Sequence, residues 1–464
     1  MAKSRRYSKN SSISDAPPLN YMLHRDVQPL PAKGSSLDSW LQYISSVHPR
    51  EIELGLGRTK RVSVNLGLGK PAPLVVTVAG TNGKGSCVAT MEAILQQAGF
   101  KTGCYTSPHV HVFNERIRID ASNVSDEPLI AAFEAIDEAR NNETLSYFEF
   151  ATLASLYLMR KNNVDVALLE VGLGGRLDAV NIVDADVAVI SSIGIDHTDW
   201  LGNDIESIAA EKAGIMRANT PTVFGGEHPP NAIIHRAKEL DSPLLVIGHD
   251  FHADQDAANG TWRWRGQNRE SVPVIWPDLP IPSLMLCNVT TSLQALMLLP
   301  LSFGLEPVSA ALNGLGLVGR FDKRLDLSNG RAVIFDVAHN PAAMQQLSSR
   351  LRSYKSENPV AGRIAAVVAV MSDKDVIGMI TALEYCVDIW YIAQVDEARS
   401  MAADEVAQTM KKMGIASDQG HIFQFDSVES AYRAACDCTE AEDTVLVTGS
   451  FFTVAAVHGV TQPA

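Results

Sequence analysis

Val75-Val76-Thr77-Val78-Ala79-Gly80-Thr81-Asn82-Gly83-Lys84-Gly85-Ser86 joins an apolar, β-branched run to a glycine-rich turn that opens into a helical pattern. This order predicts a strand, a phosphate-binding loop and a helix. The glycines let successive backbone N–H groups point into one concavity, to which the helix N-terminus and Lys84 add positive charge. A triphosphate suits such a loop. The nucleotide-binding candidates are Gly80, Thr81, Asn82, Gly83, Lys84, Gly85 and Ser86, and Lys84 is also a catalytic candidate.

The match to the standard phosphate-binding loop is incomplete. No glycine stands six residues before Lys84, and Gly85 separates the lysine from the hydroxyl of Ser86. A glycine-rich turn between a strand and a helix is also an ordinary connection in α/β proteins. The Gly-Lys-Gly-Ser core nevertheless favours a phosphate ligand.

Composition limits the class of protein. A chain of 464 residues, 46% of them hydrophobic and 20% charged, is long enough for two or three domains with full cores. The net charge of −14 argues against a general nucleic-acid or membrane surface. The six cysteines are scattered without zinc-ligand spacing, which predicts a reducing, cytoplasmic location.

The hydrophobic periodicity divides the chain into three parts. Residues 1–34 are rich in Ser, Pro and basic residues and are expected to form a flexible extension. Residues 35–316 are expected to form the domain of the phosphate-binding loop on a mainly parallel sheet, with a Trp-rich patch at 261–265 on the rim of a hairpin. In residues 317–464, strands at about 332–336, 363–370, 386–393, 421–425 and 444–448 alternate with helices. This alternation predicts a smaller, doubly wound C-terminal α/β domain.

Polar residues follow several of the predicted strands, where ligands of open α/β sheets gather. Glu170 ends a buried strand, and a carboxylate one strand away from a phosphate-binding loop is a usual means of holding magnesium. It could also be a solvated strand end. Asp336 and Asn340 follow a later strand and could be helix caps before Pro341. An aromatic pair such as Tyr147-Phe148 is more often a hydrophobic staple than a ligand platform.

The motifs also carry a family resemblance. Residues 80–86 resemble the ATP loop of the Mur ligase superfamily. Ser107-Pro108-His109, Glu211-Lys212-Ala213-Gly214-Ile215 and Asp336-Val337-Ala338-His339-Asn340-Pro341 narrow the resemblance to the folylpolyglutamate and dihydrofolate synthases. The last motif departs from the family wording only in Val337, which replaces a glycine. The motifs occur in family order across about 430 residues.

The resemblance implies roles for individual residues. Magnesium, as two ions, would be held by Ser107, Glu170 and His197, and Lys212 would be carbamylated. Besides the loop, ATP would contact Asn288, Arg320 and Asp336. The incoming glutamate would be oriented by His339 and Ser450. The pterin substrate would be bound by Arg58, Ser146, Tyr147, Phe148 and Asp178. The catalytic candidates are Lys84, Lys212, Asp336 and His339.

The implied activity is ATP-dependent amide ligation. L-glutamate would be joined to dihydropteroate and to folates through an acyl phosphate, by a monomer that binds neither nucleic acid nor membrane. Three alternatives stay open: a folylpolyglutamate synthase without the dihydropteroate reaction, another Mur-type ligase, and a non-enzymatic ATP-binding protein. A Mur ligase proper needs a domain ahead of the loop for its UDP-sugar substrate, and only 79 residues precede Gly80.

Overall fold

The computed structural model describes residues 27–50, 53–256, 259–358, 362–415 and 421–463. Most of the extension expected at residues 1–34 therefore lies outside the described residues. Within it, the backbone N–H of Gln28 donates to Ser46 Oγ at 2.9 Å. The chain is α/β, as predicted, and its strands form two large sheets and one small sheet.

The first large sheet has eight strands in the order β4-β3-β2-β5-β1-β6-β7-β8. They are β1 (Leu74–Ala79), β2 (Thr102–Tyr105), β3 (Ile117–Ile119), β4 (Ser122–Asn123), β5 (Val166–Glu170), β6 (Val187–Ile190), β7 (Thr222–Phe224) and β8 (Leu244–Val246). All neighbours are parallel except the antiparallel pairs that β3 makes with β2 and β4. Since β1 lies between β5 and β6, the loops that follow these three strands meet at one edge. The prediction that Glu170 lies one strand from the phosphate-binding loop is confirmed.

Helices cover both faces of this sheet, and so its central strands are apolar on both sides. They are α1 (Leu37–Ser46), α2 (Gly57–Asn65), α3 (Lys84–Gln97), α4 (Asp126–Ala139), α5 (Tyr147–Lys161), α6 (Thr198–Leu201), α7 (Ile205–Ala213), α8 (Asn231–Glu239), α9 (Leu286–Met297) and α10 (Leu305–Asn313). One face packs against α1, α4 and α5, and the other against α3, α9 and α10. Helix α9 begins two residues before the expected start at Asn288.

The Trp-rich patch belongs to a three-stranded antiparallel sheet formed by β9 (His252–Asp256), β10 (Thr261–Gln267) and β11 (Pro273–Pro280). The expectation that this patch forms a rim is wrong. Side chains alternate along a strand, and on β10 this alternation buries Trp262 and Trp264 at 1% and 0% exposure in the core shared with α9 and α10. The indole of Trp264 donates to the carbonyl of Thr290 at 3.3 Å. Only the interleaved arginines face outward, where Arg265 pairs with Asp254.

The second large sheet has the order β16-β15-β14-β17-β13-β12-β18. Its strands are β12 (Arg320–Asp326), β13 (Ala332–Asp336), β14 (Ile364–Val368), β15 (Ile389–Ile392), β16 (Ile422–Gln424), β17 (Thr444–Thr448) and β18 (Thr461–Pro463). The helices α11 (Pro341–Glu357), α12 (Val376–Leu383) and α13 (Ala403–Lys412) cover one face, and α14 (Val428–Cys438) and α15 (Phe451–His458) the other. The five expected strands are confirmed.

Two antiparallel strands, β12 and β18, extend one edge of this second sheet and were not predicted. Five of the seven residues of β12 are charged, so the strand does not stand out in the hydrophobicity pattern. The expected boundary between residues 316 and 317 falls between α10 and β12 and stays a prediction. Across the described helices, none is long and apolar enough to cross a membrane.

Replacing Trp264 by Ala should lower the free energy of unfolding by about 3–5 kcal/mol, because it removes a fully buried ring and leaves a cavity. Urea unfolding followed by circular dichroism measures this change. Arg263→Ala, at an exposed position of the same strand, is the matched control and should change it by less than about 0.5 kcal/mol. Equal, small effects of both substitutions would contradict the burial of Trp264.

Candidate active site

The phosphate-binding loop, residues 80–86, is held by its neighbours on both sides. Gly83 has φ 88° and caps α3, and a Cβ there would lie 2.4 Å from Asn288 Oδ1. Both the left-handed backbone and the close approach of α9 therefore require glycine. The loop also bonds to Ser192, two residues after the end of β6. Thr81 N donates to the carbonyl of Ser192, and Asn82 N donates to its Oγ, each at 2.9 Å. Asn288, which was expected to contact ATP, therefore lies directly against this loop.

Two lysine side chains converge on one carbonyl of this loop. Lys84 Nζ donates to the carbonyls of Gly80 and Thr81 at 3.1 and 3.2 Å, and Lys212 Nζ donates to that of Gly80 at 3.0 Å. Burial lowers the pKa of both amines, that of Lys212 to about 7, with the charge of Lys84 contributing. The arrangement favours an anionic ligand, which would relieve the repulsion between the two cations.

Glu170 and Ser107 meet beside these lysines. The buried carboxylate ends β5, and its Oε2 accepts from the backbone N–H of Ser107 at 3.2 Å. Burial raises the pKa of Glu170, while the charge of Lys84 and the Ser107 hydrogen bond oppose the rise. A buried carboxylate beside a serine residue suits a hard divalent cation, which takes oxygen ligands.

His197 lies in the loop after β6 and can serve as a neutral ligand. Its side chain is 43% exposed, and desolvation by the surrounding protein together with the charges of Lys374 and Lys84 lowers its pKa, against the opposing charge of Asp196. Throughout the described ranges, no three His, Cys, Asp or Glu side chains cluster closely enough to hold a metal ion by themselves. A cation here would therefore take further oxygens from the serine hydroxyl, from phosphate or from water, as is usual for Mg²⁺.

Asp196 joins the two large sheets across a cleft. Its Oδ2 accepts from Asn340 Nδ2 at 2.9 Å and lies 3.5 Å from His339 Nε2, and its Oδ1 lies 2.7 Å from Lys374 Nζ. Although burial raises the pKa of Asp196, the His339 hydrogen bond and the charges of His197 and Lys374 hold it well below its usual range. The carboxylate therefore stays ionised and links the two halves of the site.

A second link across the cleft is an amide pair. Asn82 of the phosphate-binding loop and Asn340 exchange two side-chain hydrogen bonds of 3.1 and 3.0 Å. Asn340 also caps α11, since its Oδ1 accepts from Ala343 N at 2.9 Å. The capping alternative is thus correct, and the cap faces the phosphate-binding loop.

Asp336 ends β13 in the second sheet. Its Oδ2 accepts from Phe321 N at 2.9 Å, and its Oδ1 accepts from Ala338 N at 3.0 Å, so it organises the loop. The capping alternative is wrong for Asp336, because Asn340 is the cap of α11. Arg320 is its register partner on β12. Burial raises the pKa of Asp336, and the charge of Arg320 opposes the rise.

Ser450 caps α15, since its Oγ accepts from Thr453 N at 3.0 Å. The next residue, Phe451, lies 6.2 Å from the His339 ring and 5.5 Å below the guanidinium of Arg320, measured from ring centroids. The Ser450 loop therefore adjoins the Asp336–Asn340 loop.

The residues expected at the pterin divide into two groups. Arg58 is ion-paired with Glu53 at 2.5 Å and with Glu149 at 3.2 Å, and Ser146 caps α5 in a reciprocal pair with Glu149. None of the hydrogen bonds and ion pairs in the described part of the chain joins Arg58 or Ser146 to the phosphate-binding loop. Tyr147 packs under the guanidinium of Arg116, 5.6 Å from the ring centroid.

The second group adjoins the lysines through the loop at residues 171–178. The Phe148 ring lies against Gly172, where an added Cβ would approach it to 2.5 Å. Asp178 accepts from Leu173 N and Val180 N, each at 2.9 Å, and burial raises its pKa to about 6. A cavity of about 20 Å³ is enclosed by residues 171–174 together with Gly80, Thr81, Lys84, Asp196, His197, Leu201 and Lys212.

Sequence reasoning did not assign Asp196 and Lys374 to the site. Lys374 lies in the loop after β14, at the carboxyl edge of the second sheet, and the rule that identified Glu170 could have found it. Asp196 was read only as the neighbour of His197. Its partners on the second sheet lie 144 and 178 residues away in sequence.

This fold and site define a Mur ligase. The family model described as the Mur ligase middle domain matches residues 78–272, and the model for the Mur ligase glutamate ligase domain matches residues 319–451. A dihydrofolate synthase/folylpolyglutamate synthase of Escherichia coli K12 is 41% identical over 430 residues, covering 93% of this chain and 96% of the relative. The chain belongs to the dihydrofolate synthase/folylpolyglutamate synthase family of Mur ligases.

Solved structures agree with this assignment. E. coli FolC in complex with DHPP and ADP superposes with a TM-score of 0.85 at 40% identity, covering 93% of this chain and 99% of that one. A bifunctional folylpolyglutamate synthase/dihydrofolate synthase with Mn, AMPPNP and L-glutamate bound has a TM-score of 0.83 at 40% identity, covering 92% and 98%.

Lys212→Met should flatten the pH dependence of stability. The pKa of Lys212 is about 7 in the folded chain, against about 10.4 for an unperturbed lysine, so the unfolded chain binds more protons between these values. The contribution of Lys212 to the free energy of unfolding therefore rises with pH between about 7 and 10.4, and it falls again as the pH is lowered towards 7. The free energy of unfolding of the wild type should rise relative to that of the variant by at most about 1.4 kcal/mol per pH unit.

Urea unfolding from pH 7 to 10 without nucleotide, metal or bicarbonate measures this difference. Lys238→Met, at an exposed position of α8, is the control and should track the wild type. A Lys212→Met curve parallel to the wild type would refute the lowered pKa.

Proposed function

We propose that this chain is an ATP- and Mg²⁺-dependent amide ligase. It adds L-glutamate to dihydropteroate, giving dihydrofolate, and to folates, giving polyglutamates, through an acyl phosphate. The proposal is supported by the names of its relatives and by the molecules bound in the two solved structures. A monomeric, cytoplasmic enzyme without nucleic-acid or membrane partners is part of the same proposal.

The observation that carries the proposal is the meeting of two charged loop systems across one cleft. Lys84, Lys212 and Glu170 lie at the carboxyl edge of the first sheet. The loop from Asp336 to Asn340 faces them from the second sheet. Its Asn340 is hydrogen-bonded to Asp196 and Asn82 of the first half. A cleft in which both sides carry cations, carboxylates and amides, with two lysines converging on the phosphate-binding loop, suits a triphosphate and a second, amine-bearing substrate.

Amide formation explains why both halves are needed. A carboxylate is a poor electrophile, and transfer of the γ-phosphoryl group to it creates a mixed anhydride with a good leaving group. The amine of glutamate then attacks the carbonyl carbon, the C–N bond forms, and phosphate leaves. The loop amides and Lys84 would stabilise the charge that develops during phosphoryl transfer. Closure of the cleft would keep water from the acyl phosphate.

The remaining residues have positioning roles in this scheme. Asn288, which touches the phosphate-binding loop, would hold the nucleotide together with Arg320 and Asp336. His339 and Ser450 would orient glutamate. The pterin would lie towards Phe148 and Asp178, behind the loop at residues 171–178, with Arg58, Ser146 and Tyr147 farther along the same wall.

Ser107, Glu170 and His197 would hold Mg²⁺ ions, which neutralise phosphate charge when bound. A carbamate on Lys212 would add a negative charge near them. The pKa of about 7 leaves a substantial fraction of this amine neutral at physiological pH, and only the neutral amine attacks CO₂. The small cavity beside Lys212 offers the space for the added atoms.

Lys212→Ala should therefore lose most ligase activity and regain part of it when short-chain carboxylates are added, because they replace the missing carbamate. The measurement is the steady-state rate with and without formate or acetate, beside wild type in bicarbonate-depleted buffer. The carbamate is excluded if neither depletion nor added carboxylate changes the rate.

The function itself is tested by giving purified protein ATP, Mg²⁺ and glutamate with either dihydropteroate or tetrahydrofolate. Amide product and ADP should form in equal amounts with both substrates. Lys84→Ala should stay folded and lose turnover, since the lysine acts where charge develops. Asp178→Ala should damage the dihydropteroate reaction more, because the shorter substrate must place its pterin deeper.

The outcomes separate the alternatives. Product from tetrahydrofolate alone would reduce the assignment to a folylpolyglutamate synthase. ATP binding without amide formation would favour a non-enzymatic protein. Near-normal activity of folded Lys84→Ala would overturn the assignment of the phosphate-binding loop as the catalytic centre.

A further inference from the structure

Arg350 on α11 provides a further link between the two halves of the molecule. Its guanidinium carbon lies 4.1 Å from the centroid of the Phe321 ring, which is a close cation–π stack. Its Nη2 donates to the carbonyl of Ser283 at 2.5 Å. Ser283 lies just before α9, the helix that carries Asn288, and so Arg350 spans from the second sheet to the first half of the chain.

The ring that Arg350 covers belongs to a residue with a strained backbone. Phe321 has φ 53°, a left-handed conformation that bulky residues rarely adopt and that the surrounding structure must hold in place. In this conformation its N–H donates to Asp336 Oδ2 at 2.9 Å. The ring also meets Tyr354 of α11 edge to face at 6.3 Å between centroids. The conformation of Phe321 thus sets the orientation of the Asp336 carboxylate.

Arg350 also acts on Asp336 directly. The carboxylate is buried, and its charge is compensated by Arg320 first and by Arg350 second. Burial lowers the pKa of Arg350, and the charge of Asp336 opposes that change. One side chain therefore stacks on the strained residue, bonds to the other half of the chain and stabilises the charge of the group that Phe321 orients.

We infer that Arg350 is a positioning residue, which fastens Phe321 between the two halves and thereby holds Asp336 in the orientation required for nucleotide binding. It is placed away from the reacting atoms and acts through Asp336. The inference rests on the proposed function only in the expectation that Asp336 contacts the nucleotide. Arginine suits this role because a planar guanidinium can stack on a ring and, at the same time, donate hydrogen bonds in its own plane. The ammonium group of lysine has no flat face to stack in this way.

The test compares Arg350→Met and Arg350→Lys with Lys323→Met. Lys323 is the matched control, because its Nζ also lies over the Phe321 ring, at the longer distance of 5.8 Å. Isothermal titration calorimetry with ADP and Mg²⁺, and the KM for ATP against kcat, are the readouts. Arg350→Met should weaken ADP binding and raise the KM for ATP by about tenfold, with kcat changed far less. Arg350→Lys should recover only part of this loss, and Lys323→Met should stay within about twofold of the wild type.

A double substitution tests the route of the effect. In a Phe321→Leu background, Arg350→Met should cause a clearly smaller loss of ADP affinity than in the wild type, because the stack is already gone and only the charge of Arg350 near Asp336 and its bond to Ser283 remain. Full, additive losses would overturn the route through Phe321. The inference also fails if folded Arg350→Met binds ADP like the wild type, or if Lys323→Met loses as much affinity.

Two further outcomes are decisive. If Arg350→Met does not fold, Arg350→Lys keeps the charge and the aliphatic stem, and wild-type ADP affinity in this variant would contradict the inference. If wild-type protein binds ADP and makes no amide, the proposed ligase function fails. The ADP affinities of the variants then still decide the role of Arg350.

Discussion

The ionised carboxylate of Asp196 is the interaction on which the arrangement of the site depends. It follows a strand of the first sheet and accepts from Asn340 and Lys374 of the second half. A buried carboxylate with one partner removed costs several kcal/mol, since the remaining charge is left uncompensated. Asn340, Lys374 and the nearby His339 ring therefore hold the Asp336–Asn340 loop against the phosphate-binding loop. The Asn82–Asn340 amide pair adds a second, uncharged link at the same place.

Both halves of the site use the same constraint of parallel sheets. The chain leaves every parallel strand at the same edge, so the loops after β1, β5 and β6 meet, as do those after β13, β14 and β17. The two carboxyl edges then face each other. This geometry brings the lysines of the first sheet close to the Asp336–Asn340 loop of the second, which is an arrangement suited to joining an activated carboxylate with an amine.

Several site residues serve backbone structure at the same time. Asn340 caps α11 and Ser450 caps α15, while Asp178 accepts from two loop amides. A side chain held by such bonds keeps one orientation, which reduces the entropy lost when a ligand binds. A capping role and a role in the site are therefore compatible. Asn340, for example, caps α11 and bonds to Asp196 with the same side chain.

The sequence by itself determined the phosphate-binding loop, the central parallel strands and the alternation of strands and helices after residue 320. These features depend on local patterns: apolar runs, glycines at left-handed positions such as Gly83, and caps next to helices. Glu170 was located by the same local rule. The burial of Trp262 and Trp264, the added strands β12 and β18, and the contact of Lys374 with Asp196 were decided only by the tertiary structure. Each of these depends on which distant segment lies opposite, and pairing across 178 residues leaves no trace in the local pattern of either segment.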